Sequence, residues 1–121
     1  MYSVLIVDDE YGLAEMASEL LEMAGYNVAM AINGKLALTV LDQMRPDVIL
    51  LDVMMPIMSG EELLKHLKAD DSMRDIPVVM MSAAGREWLS DELRPLIAGF
   101  LQKPFSYDEL RAALRAALPA S

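Results

Sequence analysis

Cysteine is absent from this 121-residue chain and histidine occurs once, as His66. Those two absences remove disulfide frameworks, thiolate metal sites, thiol nucleophiles and multi-histidine metal centres. Basic residues are also scarce: 10 Lys and Arg stand against 19 Asp and Glu, a formal charge of −9. A surplus of that sign repels phosphate backbones and anionic lipid, so no nucleic acid and no membrane surface is expected as a partner. Cations and basic surfaces are expected instead. Long apolar runs are missing too. The uncharged stretch from Met23 to Gly34 is 12 residues long and includes Asn27 and Asn33, whereas a membrane span takes about 20 apolar residues. The opening Met-Tyr-Ser-Val-Leu-Ile-Val-Asp-Asp has no basic segment, and its apolar run ends in acid. No signal peptide is read there, and a cytoplasmic location is the expectation.

What is present is enough to fold. Hydrophobic residues make up 55% of the chain and charged residues 24%, the balance of an ordinary globular domain. The length fits one domain over residues 1–121, with no output domain in this chain. Five short apolar runs recur, at Val4–Val7, Val28–Ala31, Val48–Leu51, Val78–Met81 and Gly99–Gln102. The first, third and fourth are continuously apolar, as strands covered on both faces are.

Helical patterns lie between them. Leu13, Ala17, Leu20, Leu21 and Ala24 fall on one side of a first helix, with Glu15, Glu19 and Glu22 opposite and Gly25 to stop it. Ala37, Val40, Leu41 and Met44 repeat the pattern behind Asn33-Gly34, and Pro46 prevents continuation. Ser59 with Glu62, and Ser106 with Glu109, have the spacing of a capping box. The last helix turns Leu110, Ala113, Leu114, Ala117 and Leu118 inward and leaves Tyr107, Arg111 and Arg115 as an outward row. Between Gly85 and Ala98 the pattern is weakest: Trp88, Leu89 and Leu93 suggest one helix that Pro95 ends early. Alternating strands and helices predict an α/β fold with a parallel sheet and helices on both faces.

In such a sheet, ligands bind beyond the carboxyl ends of the strands. Asp8 and Asp9 follow the first strand, Asp52 ends the third, Ser82 ends the fourth, and Lys103 with Pro104 follows the fifth. Three carboxylates brought together repel, at about 4 kcal/mol for a pair 4 Å apart in an effective dielectric of 20. The cluster therefore calls for cations. Oxygen donors alone suit a hard divalent ion, Mg²⁺ rather than Zn²⁺, and Mg²⁺ with the Lys103 ammonium would balance the three acids. A pocket of that make-up is suited to a phosphoryl group.

The strand ending in Asp8-Asp9, the run Asp52-Val-Met-Met-Pro-Ile-Met-Ser-Gly60, Ser82-Ala83 and Lys103-Pro104-Phe105 together resemble a response-regulator receiver domain of two-component signalling, over nearly the whole chain. The resemblance implies a single-domain five-stranded sheet of order 2-1-3-4-5. It implies that Asp52 accepts a phosphoryl group from a histidine kinase or a histidine phosphotransfer protein. Asp9 and Asp52 would bind Mg²⁺, or Mn²⁺ in its place, directly; Asp8 would do so through water, and the backbone carbonyl of Met54 would add a ligand. Lys103 would pair with a phosphoryl oxygen, Ser82 would move toward another, and Phe100 would turn inward as the switch aromatic. Pro104 would follow a cis bond that aims Lys103. Beyond its own phosphorylation and dephosphorylation no enzyme activity is implied, and the output lies with a downstream protein or an effector domain outside this chain.

Blander readings stand beside these. Asp-Asp pairs are often solvated turns, Ser82 is equally suited to a helix cap, Phe100 to a core, Lys103 to a surface and His66 to solvent. Asp52, directly after Val-Ile-Leu-Leu, needs compensation wherever it sits. The 11 methionines read first as core filler, although Met54, Met55 and Met58 flank the acceptor run. Met54 and Ala84 stand where relatives often carry polar groups that influence water attack, so a slowly hydrolysed acyl phosphate is expected. Two rival classes are a Mg²⁺-dependent phosphatase with an aspartyl-phosphate intermediate and a receiver-like interaction module that is never phosphorylated. Against the first, Asp8-Asp9 is followed by Glu10 where such enzymes place another acid two residues after the nucleophile, and no cap domain is present. Against the second stands the full set of Asp8, Asp9, Asp52, Ser82 and Lys103.

Overall fold

The computed structural model describes residues 2–119. Five strands, β1 (Ser3–Val7), β2 (Asn27–Ala31), β3 (Val48–Asp52), β4 (Val78–Ser82) and β5 (Gly99–Gln102), form one parallel sheet of order β2-β1-β3-β4-β5. Four α-helices connect or follow them: α1 (Tyr11–Met23), α2 (Gly34–Leu41), α3 (Gly60–Ala69) and α4 (Tyr107–Ala117). The expected α/β fold and strand order are both observed. None of these helices is long and apolar enough to cross a membrane.

Side chains of a strand alternate between faces, so a run buried throughout needs a cover on both. Leu5, Val7, Ile49, Leu51, Val78 and Met80 pack on one face with Ala37 of α2 and Leu63, Leu64 and Leu67 of α3. Val4, Ile6, Val48, Leu50, Val79 and Met81 pack on the other with Ala14 and Leu21 of α1 and Leu110 and Leu114 of α4. The two faces of β1, β3 and β4 are thus equally apolar. A polar residue at the end of these strands is consequently held by rigid backbone.

Helix ends follow the local chemistry. Asn33 and Ser59 accept from the backbone N–H groups of Leu36 and Glu62, and Ser106 with Glu109 closes a full capping box. Gly25, at φ +99°, takes the left-handed conformation that ends α1. Helix α2 stops at Leu41, so Met44 lies beyond it.

Two expectations are corrected. The buried side of α1 is Ala14, Ser18 and Leu21, while Leu13 is half exposed. Small residues let this helix lie close to the sheet and turn the bulkier Leu13 outward. The stretch between β4 and β5 is not an α-helix but two three-residue 3₁₀ turns, Arg86–Trp88 and Arg94–Leu96. Pro95 has no N–H to give to a helical ladder. The Arg94 guanidinium instead donates to the carbonyls of Leu89 and Glu87, while Leu89 and Leu93 remain buried.

The loop from β3 to α3 is closely packed against the end of β3. A Cβ on Gly60 would stand 2.1 Å from the carbonyl oxygen of Asp52, and Gly60 N–H donates to the Val53 carbonyl at 3.0 Å. Ile57 holds φ at +71°, a conformation costing a β-branched residue on the order of 1–2 kcal/mol. Gly60→Ala is expected to lower unfolding free energy by about 2 kcal/mol or more. Ile57→Asn, which tolerates that conformation, is expected to raise it by about 1 kcal/mol. Urea unfolding of both variants checks this.

Candidate functional site

Asp8 leaves β1 with its N–H donating to the Ala31 carbonyl at 3.0 Å, and its side chain is buried. One carboxylate oxygen accepts from the backbone N–H of Glu10 at 2.9 Å; the other accepts from Lys103 Nζ at 2.8 Å. Asp52, the last residue of β3, is only 4% exposed. Its Oδ2 lies 3.6 Å from Lys103 Nζ, and its Oδ1 accepts from the N–H of Met54 at 3.4 Å. Lys103 reaches this point from across the sheet: its N–H donates to the Ser82 carbonyl, and the bond to Pro104 is cis, as expected.

Asp8, Glu10 and Asp52 can each place a carboxylate oxygen within 4.8 Å of the other two. Asp9, expected among the direct metal ligands, is exposed and outside this group. Past β1 the chain bends at Asp9, with the Asp8 carboxylate accepting from the N–H two residues on. Asp8 and Glu10 meet on Lys103, while Asp9 is exposed. Sequence reasoning passed over Glu10, because a bend that brings its side chain to Lys103 leaves no periodic signal. Glu10 Oε1 lies 3.3 Å from Lys103 Nζ.

The remaining expected residues are placed as follows. Ser82 is buried at the end of β4, and its Oγ accepts from the N–H of Ala84 at 3.1 Å. Phe100 is half-buried and packs on the α2 and α3 side of the sheet. The Met54 side chain is exposed. Of the outward row on α4, Arg115 is exposed, but Tyr107 is half-buried and donates its hydroxyl to the Leu20 carbonyl at 3.4 Å. Arg111 stacks 5.5 Å from the centre of the Tyr107 ring. Tyr107 thus helps close a cleft of about 370 Å³ between α1 and α4, with Leu13, Met16 and Phe105 in its walls and Lys103 at one end.

One ammonium does not compensate three acids. Burial, first, and then the Asp8 charge push the Asp52 carboxyl up to about 7, despite Lys103 and the Met54 N–H acting the other way. Burial disfavours the Lys103 ammonium, but the hydrogen bond to Asp8, the charges of Asp52 and Asp8 and the bond to Glu10 outweigh it, leaving its pKa above 10.5. The donor set is all oxygen, which fits a hard divalent cation and no thiophilic one.

A carboxyl whose pKa is higher folded than unfolded binds extra protons in the folded state between the two values. Its contribution is fully present below 3.8 and is lost as pH rises through about 7. Asp52→Asn is therefore expected to stabilise the metal-free protein by about 1–3 kcal/mol at pH 8 and by little at pH 4. Thermal unfolding in EDTA across that range checks this, and added Mg²⁺ is expected to stabilise the unsubstituted protein at the upper end.

Comparison with known proteins agrees with this geometry. Residues 4–115 match the family described as the response regulator receiver domain. The chain is 44% identical over 119 residues to the phosphate regulon transcriptional regulatory protein PhoB of Pseudomonas aeruginosa, covering 96% of this chain and 51% of that one. It is 39% identical over 117 residues to sporulation initiation phosphotransferase F of Bacillus subtilis, covering 96% and 93%. It thus spans about half the length of several curated relatives it matches. Among solved structures, chemotaxis protein CheY4 of Vibrio cholerae superposes with a TM-score of 0.86 at 33% identity, covering 98% of this chain and 99% of that one. Response regulator TrrA of Thermotoga maritima, in complex with Mg²⁺ and BeF, gives 0.86 at 29%, covering 98% and 100%. With the acidic pocket at the strand ends and a match over nearly its whole length, this chain belongs to the response regulator receiver domain family.

Proposed function

We propose that this chain is a phosphorylation-dependent switch in which Asp52 accepts a phosphoryl group from a sensor histidine kinase or a histidine phosphotransfer protein, in the cytoplasm. The observation that carries the reading is a buried carboxylate at the end of β3, 3.6 Å from a lysine and gathered with two further acids. The Asp52 oxygen attacks phosphorus as the bond to the donor nitrogen breaks, leaving an acyl phosphate on Asp52 and a neutral imidazole on the donor.

This chain's groups supply position and charge. Asp52 is carried by backbone that is fixed in the sheet centre, so the nucleophile needs little reorganisation. Lys103 offers an ammonium to the transferred oxygens, and Ser82, once released from the Ala84 N–H, offers a hydroxyl. Asp8 and Asp52, with the Met54 carbonyl and a third carboxylate from the Asp9-Glu10 turn, are the groups that would hold Mg²⁺ or Mn²⁺. When bound, the ion lowers the raised pKa of Asp52 and neutralises the phosphoryl oxygens. The phosphodonor would dock over the exposed Tyr11, Leu13 and Met16 beside the site. The output partner would take the surface around Phe100 and the α4 row of Arg111 and Arg115.

Acetyl phosphate with Mg²⁺ is expected to label the protein at one equivalent, and Asp52→Asn to abolish labelling; mass spectrometry reads both. Turnover of phosphate esters beyond one equivalent would favour the phosphatase reading instead. Met54, exposed and apolar, orients no water. Decay of the acyl phosphate is therefore expected to take minutes or longer, and Met54→Asn to accelerate it on the order of tenfold or less, followed by loss of bound ³²P.

A further inference from the structure

Beyond being one of the two acids of the Asp9-Glu10 turn that could complete a metal site, Glu10 has no role argued so far. It stands at the N-cap position of α1 and makes no side-chain cap bond there. Its carboxylate is given to Lys103 instead, at 3.3 Å. Lys103 thus has two hydrogen-bonded counter-ions of opposite character. Asp8 is 3% exposed and pinned by the Glu10 N–H; Glu10 has a side chain 55% exposed, free to swing into water.

We propose that Glu10 is the exchangeable counter-ion of Lys103: it holds the ammonium in the empty site and is displaced by the phosphoryl group that arrives on Asp52. The inference rests on the phosphoacceptor reading above. An incoming phosphoryl group brings negative charge to Asp52, within reach of the Glu10 carboxylate, so the two repel while competing for one cation. Asp8 has no exit, being buried and bonded on both oxygens. Glu10 leaves at the small cost of a partly exposed ion pair. Glu10 is in this sense a positioning residue: it keeps Lys103 aimed at the acceptor when no phosphate is there, and tunes how readily phosphate takes its place.

The experiment is a calorimetric titration of the whole chain with beryllofluoride at saturating Mg²⁺, for the unsubstituted protein, Glu10→Gln and Glu10→Ala, with Mg²⁺ alone titrated in parallel. Both variants are expected to bind beryllofluoride roughly two- to fivefold more tightly, the worth of one partly exposed ion pair. The gain is expected to shrink in 1 M salt, where screening acts within about 3 Å, while Mg²⁺ affinity stays within about twofold. Equal or weaker beryllofluoride binding by the variants overturns the proposal, as does a large loss of Mg²⁺ affinity, which would make Glu10 an ion ligand. If the unsubstituted protein itself binds no beryllofluoride, the phosphoacceptor reading fails, and this one with it.

Discussion

The Lys103 ammonium holds together a site that would otherwise repel itself. Asp8 and Asp52 sit almost fully buried at neighbouring strand ends, and a like-charged pair in such surroundings is costly. Lys103 reaches both, at 2.8 and 3.6 Å, and it can do so only because β5 lies beside β4 and its backbone is tied to Ser82. Sheet order is therefore part of the electrostatics. The compensation is incomplete, as the Asp52 carboxyl pushed up to about 7 shows. A site left short of positive charge in this way favours a divalent cation and, once the cation is present, a phosphoryl group.

How much of this was legible in the sequence depends on whether periodicity alone decides the matter. The continuous runs Val4–Val7, Val48–Leu51 and Val78–Met81 announced burial on both faces, and the two apolar clusters bear that out. Asp52 and Ser82 were legible because each stands where such a run stops, and Lys103 because it follows the fifth strand. The phase of α1 was not, because Leu13 is larger than Ala14 and size was taken for inwardness; the close approach of helix to sheet selected the small residue instead. Leu89 and Leu93 are indeed buried, but spacing of i and i+4 does not distinguish a helical turn from two 3₁₀ turns around Pro95. Glu10 escaped because it reaches Lys103 through a bend at Asp9, and a bend has no periodicity to read.

The acceptor loop and the segment after β4 divide the work of a switch in a way that follows from packing. Between Asp52 and α3 the chain has no slack: Gly60 stands against the Asp52 carbonyl with no room for a methyl group, and Ile57 accepts a left-handed conformation to complete the turn. That loop can tolerate such strain because β3 and α3 are anchored by side chains with no exposure on either side of it. Residues 83–98 are built in the opposite manner. Their backbone has two 3₁₀ turns in place of a helix, held by short-range backbone bonds, by buried Leu89 and Leu93 and by the bonds from Arg94. A hydroxyl leaving Ala84 for a phosphoryl oxygen would remove one more bond at the start of this segment, and half-buried Phe100 lies at its far end. The strained loop fixes Asp52, and under the proposed switch the Ala84 bond at the start of the neighbouring segment is the one that a change in charge at Asp52 would release.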